Sequence, residues 1–174
     1  TIAPERLATA AAEAGMSHVA LTDRDGLSGA VRFVRAAADA GVVPIVGVDL
    51  ALAVDPRSDR VSEAPRVTLI AQGPDGYAAL CRAVSRAHAH GPDGRGAPLL
   101  DADGLDGVAT GHVIALLGVD SPVGRLLARG ARDAAVAELE RWRERFGTEG
   151  TVLGVRDHRV APGGRRVHGR PDPD

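Results

Sequence analysis

The chain has 174 residues, enough for one domain with an apolar core, and its formal net charge of −2 excludes a global basic field for nucleic acid. The chain has one Trp, one Tyr and two Phe, so few aromatic side chains are present on which the bases of single-stranded nucleic acid could stack. The single cysteine, Cys81, excludes an intrachain disulfide and a cysteine-rich zinc site, and we expect it to be a buried small hydrophobe. Neither a transmembrane segment nor a signal peptide is visible, so a cytoplasmic location is expected.

Helical and strand patterns alternate along the chain. Apolar periodicity, Pro and Gly predict helices at residues 4–13, 27–40, 74–90, 122–128 and 132–146, and strands at 17–22, 42–54, 66–71, 113–117 and 151–155. Such alternation predicts an α/β fold with a mostly parallel sheet or barrel. The chain opens without Met or a preceding strand, so we expect it to begin inside a domain and to leave the strand around Val19 with an open edge.

Two carboxylates follow the first predicted strand. Asp23, Arg24 and Asp25 come directly after an apolar run and precede Gly26. Strand ends are the usual place for chemistry in α/β folds, so Asp23 and Asp25 could hold a divalent cation or a phosphate-bound metal. They could equally cap the next helix, because Asp accepts hydrogen bonds from free backbone N–H groups.

Three further polar features need an interpretation. Asp49 lies within an apolar run, where a carboxylate is costly unless it is paired, protonated or metal-bound. His88 and His90 are two positions apart at a helix end, so they do not share a helix face, and surface positions are expected. The segment from Arg156 onward is rich in Arg, Gly and Pro without an apolar period; it predicts a disordered tail at 160–174 that could touch phosphates.

Several ordered motifs resemble one family closely. The sequence is similar to the PHP (polymerase and histidinol phosphatase) domain at the amino end of bacterial DNA polymerase III alpha subunits of the error-prone type. The matching stretches are residues 4–7, 20–27, 29–33, 44–50, 76–82 and 121–125. Their order and spacing are more specific than any single motif. The resemblance reaches residue 159, which we take as the end of a partial PHP-like domain.

The resemblance implies a PHP-type distorted (β/α)7 barrel, incomplete here because its first strand is missing. Active members of the family hold a metal cluster at the strand ends with His, Asp and Glu ligands, and hydrolyse phosphoesters. In this sequence the family's opening His-x-His is absent, and its Thr-Asp-His motif is replaced by Thr22, Asp23 and Arg24. Asp49 stands at the position of the family's bridging Glu, and Arg66 stands at the position of a further His. Arginine stays protonated and cannot coordinate a metal.

These departures favour loss of the metal cluster and no catalytic residue within the chain. The positions of the degenerate metal site are then Asp23, Arg24, Asp49 and Arg66, with Arg24 expected to replace the lost metal as counter-charge for Asp23, Asp25 or Asp49. No cofactor is expected.

The favoured function is a metal-free structural or interaction module of an error-prone DNA polymerase III alpha subunit. The resemblance implies that the parent is a DNA-directed DNA polymerase, a nucleotidyltransferase acting in lesion bypass and repair. The remaining polymerase chain, its palm and thumb, would be the partner, and DNA would be bound only through that parent. The alternative is a free-standing PHP metal-dependent phosphoesterase, which needs a cluster that only Asp23, Asp49 and His158 could begin to supply.

Overall fold

A computed structural model of the chain describes residues 2–53, 64–89 and 97–155. Within them lie six helices: α1 (Pro4–Glu13), α2 (Ala30–Asp39), α3 (Gly73–His88), α4 (Ala102–Val108), α5 (Pro122–Ala128) and α6 (Arg132–Phe146). The five strands are β1 (His18–Arg24), β2 (Val43–Ala51), β3 (Arg66–Ala71), β4 (Val113–Leu117) and β5 (Thr151–Leu153). The predicted α/β class is confirmed. The predicted tail at 160–174 lies outside the described residues.

The strands form one mixed sheet in the order β1-β2-β3-β4-β5. β1 runs parallel to β2, and β4 runs parallel to β5, but β3 is antiparallel to both of its neighbours. A mostly parallel sheet was predicted, and β3, the strand around Leu69, is the exception because it runs opposite to the other four strands. In the described part of the chain β1 pairs only with β2, which leaves the expected open edge, and β1 and β5 are not hydrogen-bonded to each other.

The helices cover one face of this sheet. Two apolar clusters lie there, one under α1 and α2 around Phe33 and Val19, and a larger one under α3 to α6 around Leu50, Leu69 and Trp142. Side chains alternate between faces along a strand, so the residues between these core positions point to the opposite face. Ile45, Ile70, Ile114 and Leu116 are among them, and none belongs to either cluster.

Two local features depend on small or polar residues. Gly76 in the first turn of α3 lies against the loop before β4, where an added Cβ would collide with the carbonyl oxygen of His112. Helix α4 was not predicted, because Gly104 and Gly107 lower its helical propensity. Its first turn is stabilised by Asp101, whose side chain accepts a hydrogen bond from the Gly104 N–H at 2.8 Å.

Other elements differ from the sequence-based expectation only at their ends. Helix α2 begins at Ala30 rather than residue 27, and Leu27 packs against the larger apolar cluster instead. Cys81 on α3 is half-buried, so the expectation of a buried cysteine is wrong. Among the described residues, no helix combines the length and the apolar character needed to cross a membrane.

Candidate functional site at the strand ends

Three chain segments meet at one edge of the sheet. β1 and β2 are parallel, and the last residue of β1, Arg24, is opposite Asp49, two residues before the end of β2. Because β3 runs the other way, its first residue, Arg66, lies at the same edge, opposite Ala51. Asp49 and Arg66 share the sheet face opposite the six described helices, and Asp25 follows in the turn after β1.

Arg66 is the centre of this site. Its Nε donates to Asp49 Oδ2 at 2.9 Å, and its Nη2 donates to Asp25 Oδ1 at 2.7 Å and to the Asp49 carbonyl oxygen at 2.8 Å. The Arg66 side chain is 8% exposed, against 26% for Asp25 and 29% for Asp49. A buried guanidinium thus lies between two partly buried carboxylates.

The charge on Arg66 is maintained by these partners. Burial alone lowers the pKa of the Arg66 guanidinium, but hydrogen bonds and Coulombic attraction from Asp25 and Asp49 outweigh burial and raise that pKa above its usual range. The guanidinium is therefore a cation at neutral pH.

Arg24 has a smaller part than expected. Its Nε lies 4.0 Å from Asp49 Oδ2, and its side chain is 70% exposed. Arg24 is thus near one of the carboxylates named for it, but water screens that contact. The closer counter-charge for both Asp25 and Asp49 is Arg66, which the sequence analysis did not assign to this role.

Asp23 and Asp49 do not converge. Asp23 on β1 is opposite Val48 on β2, so both side chains lie on the helix-covered face, where Val48 is buried. Asp49 follows Val48 on β2 and therefore points to the opposite face. Asp23 Oδ2 instead lies beside Gly29 at the start of α2, where it would contact an added Cβ. A metal held jointly by Asp23 and Asp49 is incompatible with this alternation.

Capping of the following helix is not observed either. The N-cap of α2 is Gly29, and it has no side-chain hydrogen bond to the helix. Asp25 has a positive φ of 57°, in the left-handed region that non-glycine residues enter at a cost. Its backbone N–H donates to the Asp49 carbonyl oxygen at 2.9 Å, so the turn is fixed to β2 as well as to Arg66.

His88 was missed as part of this site. From the last turn of α3, its Nε2 lies 2.7 Å from the Asp25 carbonyl oxygen, across 63 positions of sequence. His88 is exposed, as predicted, and no sequence signal indicates this contact. His90 and His158 lie outside the described residues.

The site borders a polar cavity of about 270 Å³. Thr22, Thr68 and Ser121 line it together with Asp49 and Arg66. Within residues 2–53, 64–89 and 97–155, no group of three or more His, Cys, Asp or Glu side chains is arranged to hold a metal. Asp25 and Asp49 are engaged by a guanidinium and Asp23 lies on the other face of the sheet, so this donor set does not fit the family's metal cluster.

The fold is that of an α/β domain with a mixed sheet, and the PHP domain profile matches residues 1–158. The chain belongs to the PHP domain family, as the sequence motifs predicted. Its relatives include the error-prone DNA polymerases of Mycobacterium tuberculosis H37Rv (39% identical over 145 residues, 82% of this chain), Cutibacterium acnes (36% over 160 residues, 90%) and Anaeromyxobacter sp. strain K (38% over 164 residues, 94%).

This chain spans only 13–14% of the length of those polymerases. A solved structure described as a metal-dependent phosphoesterase from Bifidobacterium adolescentis superposes with a TM-score of 0.39 and 19% identity, over 51% of this chain and 29% of that one.

Proposed function

We propose that the chain is the PHP module of an error-prone DNA polymerase III alpha subunit. Relatives at 36–39% identity, all named error-prone DNA polymerase, support this, since the match covers most of the chain and a small part of each relative. The parent would be a DNA-directed DNA polymerase, a cytoplasmic nucleotidyltransferase for replication, lesion bypass and repair. Its catalytic aspartates would lie in a palm domain outside these 174 residues.

Within that parent the module would be structural and metal-free. The supporting observation is the position of Arg66 between Asp25 and Asp49, because a guanidinium already neutralises the carboxylates that a metal would need. A two-metal phosphoesterase requires several carboxylate and imidazole ligands around metals about 3.5–4 Å apart. Arg24 and Arg66 stand at two of the family's imidazole positions and supply no lone pair.

The mixed sheet would be part of a PHP-type barrel. β1 has an open edge in the described residues, and residues 1–17 contain no His-x-His. The palm and thumb of the parent would pack on the module, and DNA would be contacted through the parent only.

Metal content and hydrolysis test this proposal. The purified chain is expected to contain no stoichiometric Zn, Mn or Fe by elemental analysis, and to show no phosphatase or 3′–5′ exonuclease activity with added Mn²⁺ or Zn²⁺. Metal-dependent turnover above a mock purification would establish the phosphoesterase alternative instead.

A double variant tests how much of the site has been lost. Arg24→His with Asp49→Glu restores two of the family's residue types, and it is still expected to be inactive, because Arg66 and the missing His-x-His are unchanged. Turnover by this variant alone would leave the metal-free wild type standing, but would show that the opening strand is dispensable.

A further inference from the structure

The oxygen atoms around Arg66 are of the kind that bind hard divalent cations. Two carboxylate oxygens and one backbone carbonyl oxygen, from Asp25 and Asp49, all lie within 2.9 Å of its nitrogen atoms. Mg²⁺, Mn²⁺ and Ca²⁺ take such oxygen ligands in proteins. In this chain the cation that they surround is a side chain of the same domain.

Displacing the Arg66 guanidinium from these oxygen atoms would destabilise the folded chain. At 8% exposure Arg66 has little access to water, and an uncompensated buried charge is strongly destabilising. A metal that took the two carboxylates would leave the guanidinium buried without its counter-charges. The pair of Asp25 and Asp49 is therefore available to a metal only if Arg66 is removed.

The same contacts join three segments that are distant in sequence. Arg66 begins β3, Asp49 is near the end of β2, and Asp25 is in the turn after β1. The turn residue has a positive φ, and it is held by the Arg66 side chain, by the Asp49 carbonyl oxygen and by His88 from α3. A strained turn persists only where several surrounding contacts hold it in place. Among these contacts, the one from Arg66 is the ion pair.

We infer that Arg66 is the resident cation of the strand-end site: it fastens the β1–α2 turn to β2 and β3, and it keeps divalent cations out. The inference rests on the proposed function only in treating the wild-type site as metal-free. The inference goes beyond the proposed function because it assigns to Arg66 both the fastening of the turn and the exclusion of divalent cations. It also predicts that truncating Arg66 creates a site that binds a divalent cation.

Thermal unfolding in EDTA and in MnCl₂ tests both tasks without an activity assay. Wild type is expected to unfold at the same temperature in both. Arg66→Ala is expected to lose about 5–10 °C in EDTA, since it breaks a mostly buried ion pair in a chain of this length, and to regain part of that loss with Mn²⁺. Arg66→Lys keeps the charge but cannot reach both carboxylates in a fork, so an intermediate loss is expected.

The matched control is Arg86→Ala. Arg86 also contacts two carboxylates, at 2.7 Å and 3.2 Å, but its side chain is 46% exposed. We expect a smaller loss and no response to Mn²⁺. This control separates a specific cation site from general binding of Mn²⁺ to surface carboxylates.

The outcomes distinguish this inference from the proposed function. If Arg66→Ala unfolds at the same temperature as wild type in EDTA, the fastening role alone is overturned. If Arg66→Ala folds but its unfolding temperature is the same with and without Mn²⁺, the exclusion role alone is overturned. If Arg66→Ala does not fold, the fastening role is supported, and equilibrium dialysis of Mn²⁺ against wild type and against Arg66→Gln, which removes the charge but keeps a long polar side chain, tests the exclusion role. Equal Mn²⁺ binding by the two proteins would overturn it. Metal-dependent hydrolysis by wild type would instead refute the proposed function.

Discussion

Two adjacent residues of the central strand should differ sharply in their contribution to stability. Leu69 is fully buried on the helix-covered face and is flanked in register by Val48 and Ala115. Ile70, the next residue, is only partly buried on the opposite face, beside Gly47 and Ile114. Both side chains belong to β3 and both have a strand on each side, so their backbone environments are closely matched.

Replacing each residue by alanine isolates the effect of the face. Leu69→Ala leaves a cavity in a close-packed cluster and should cost about 2–5 kcal/mol of unfolding free energy. Ile70→Ala loses only part of the roughly 1.5–3 kcal/mol of full burial and leaves no closed cavity, so about 1 kcal/mol is expected. Lower strand propensity of alanine affects both variants alike.

Equilibrium urea unfolding followed by Trp142 fluorescence measures this difference. Trp142 is the single tryptophan, is 2% exposed, and belongs to the same apolar cluster as Leu69. Equal losses for the two variants, or a larger loss for Ile70→Ala, would refute the assignment of the two faces. A large loss at Ile70 would mean that this face is covered in the folded chain as thoroughly as the other.

Three further predictions concern single side chains. Tyr77 is the only tyrosine, and its pKa is raised by burial and by its interaction with Cys81. Tyrosinate absorbance should therefore titrate at higher pH in the folded chain than in the urea-unfolded chain, and the unfolding free energy should fall as the pH rises past about 10. A titration midpoint in the folded chain equal to or below that of the unfolded chain would contradict this. Ser121→Ala removes the N-cap of α5 and should cost about 1–2 kcal/mol in urea unfolding, whereas exposed Ser85→Ala should change little. Arg24→Gln should change the unfolding free energy by less than about 0.5 kcal/mol, because the exposed Arg24 meets Asp49 only at 4.0 Å; a loss as large as that of Arg66→Ala would restore Arg24 as the main counter-charge.

Most elements of this fold could be predicted from local sequence. Proline at the first turn and regular apolar spacing place α1, α5 and α6 at the observed residues, because these signals act within one helix. Helix α4 escaped prediction because its two glycines weaken the local signal, while its stability depends on a capping aspartate and on burial of Leu105 and Val108.

Residues at the strand ends were singled out from the sequence, but their contacts with one another were not predicted. Asp49 and Arg66 were both singled out from motif positions, and they are in contact at 2.9 Å. Asp23 was grouped with Asp49 because both come at strand ends, yet the alternation of side chains along a strand places them on opposite faces. The contact of His88 with Asp25 joins a helix end to a turn and has no signature in either segment.

The amino-acid sequence by itself determined the family of the domain and, apart from α4, the order of its elements, since residue types and spacing are properties of the chain. Only the tertiary structure decided which arginine became the counter-ion. A parallel β3 would have put Arg66 at the far edge of the sheet, whereas the antiparallel β3 brings it beside Asp49 and Asp25. Strand direction depends on pairing between distant segments, and a segment's local apolar pattern is the same in either direction.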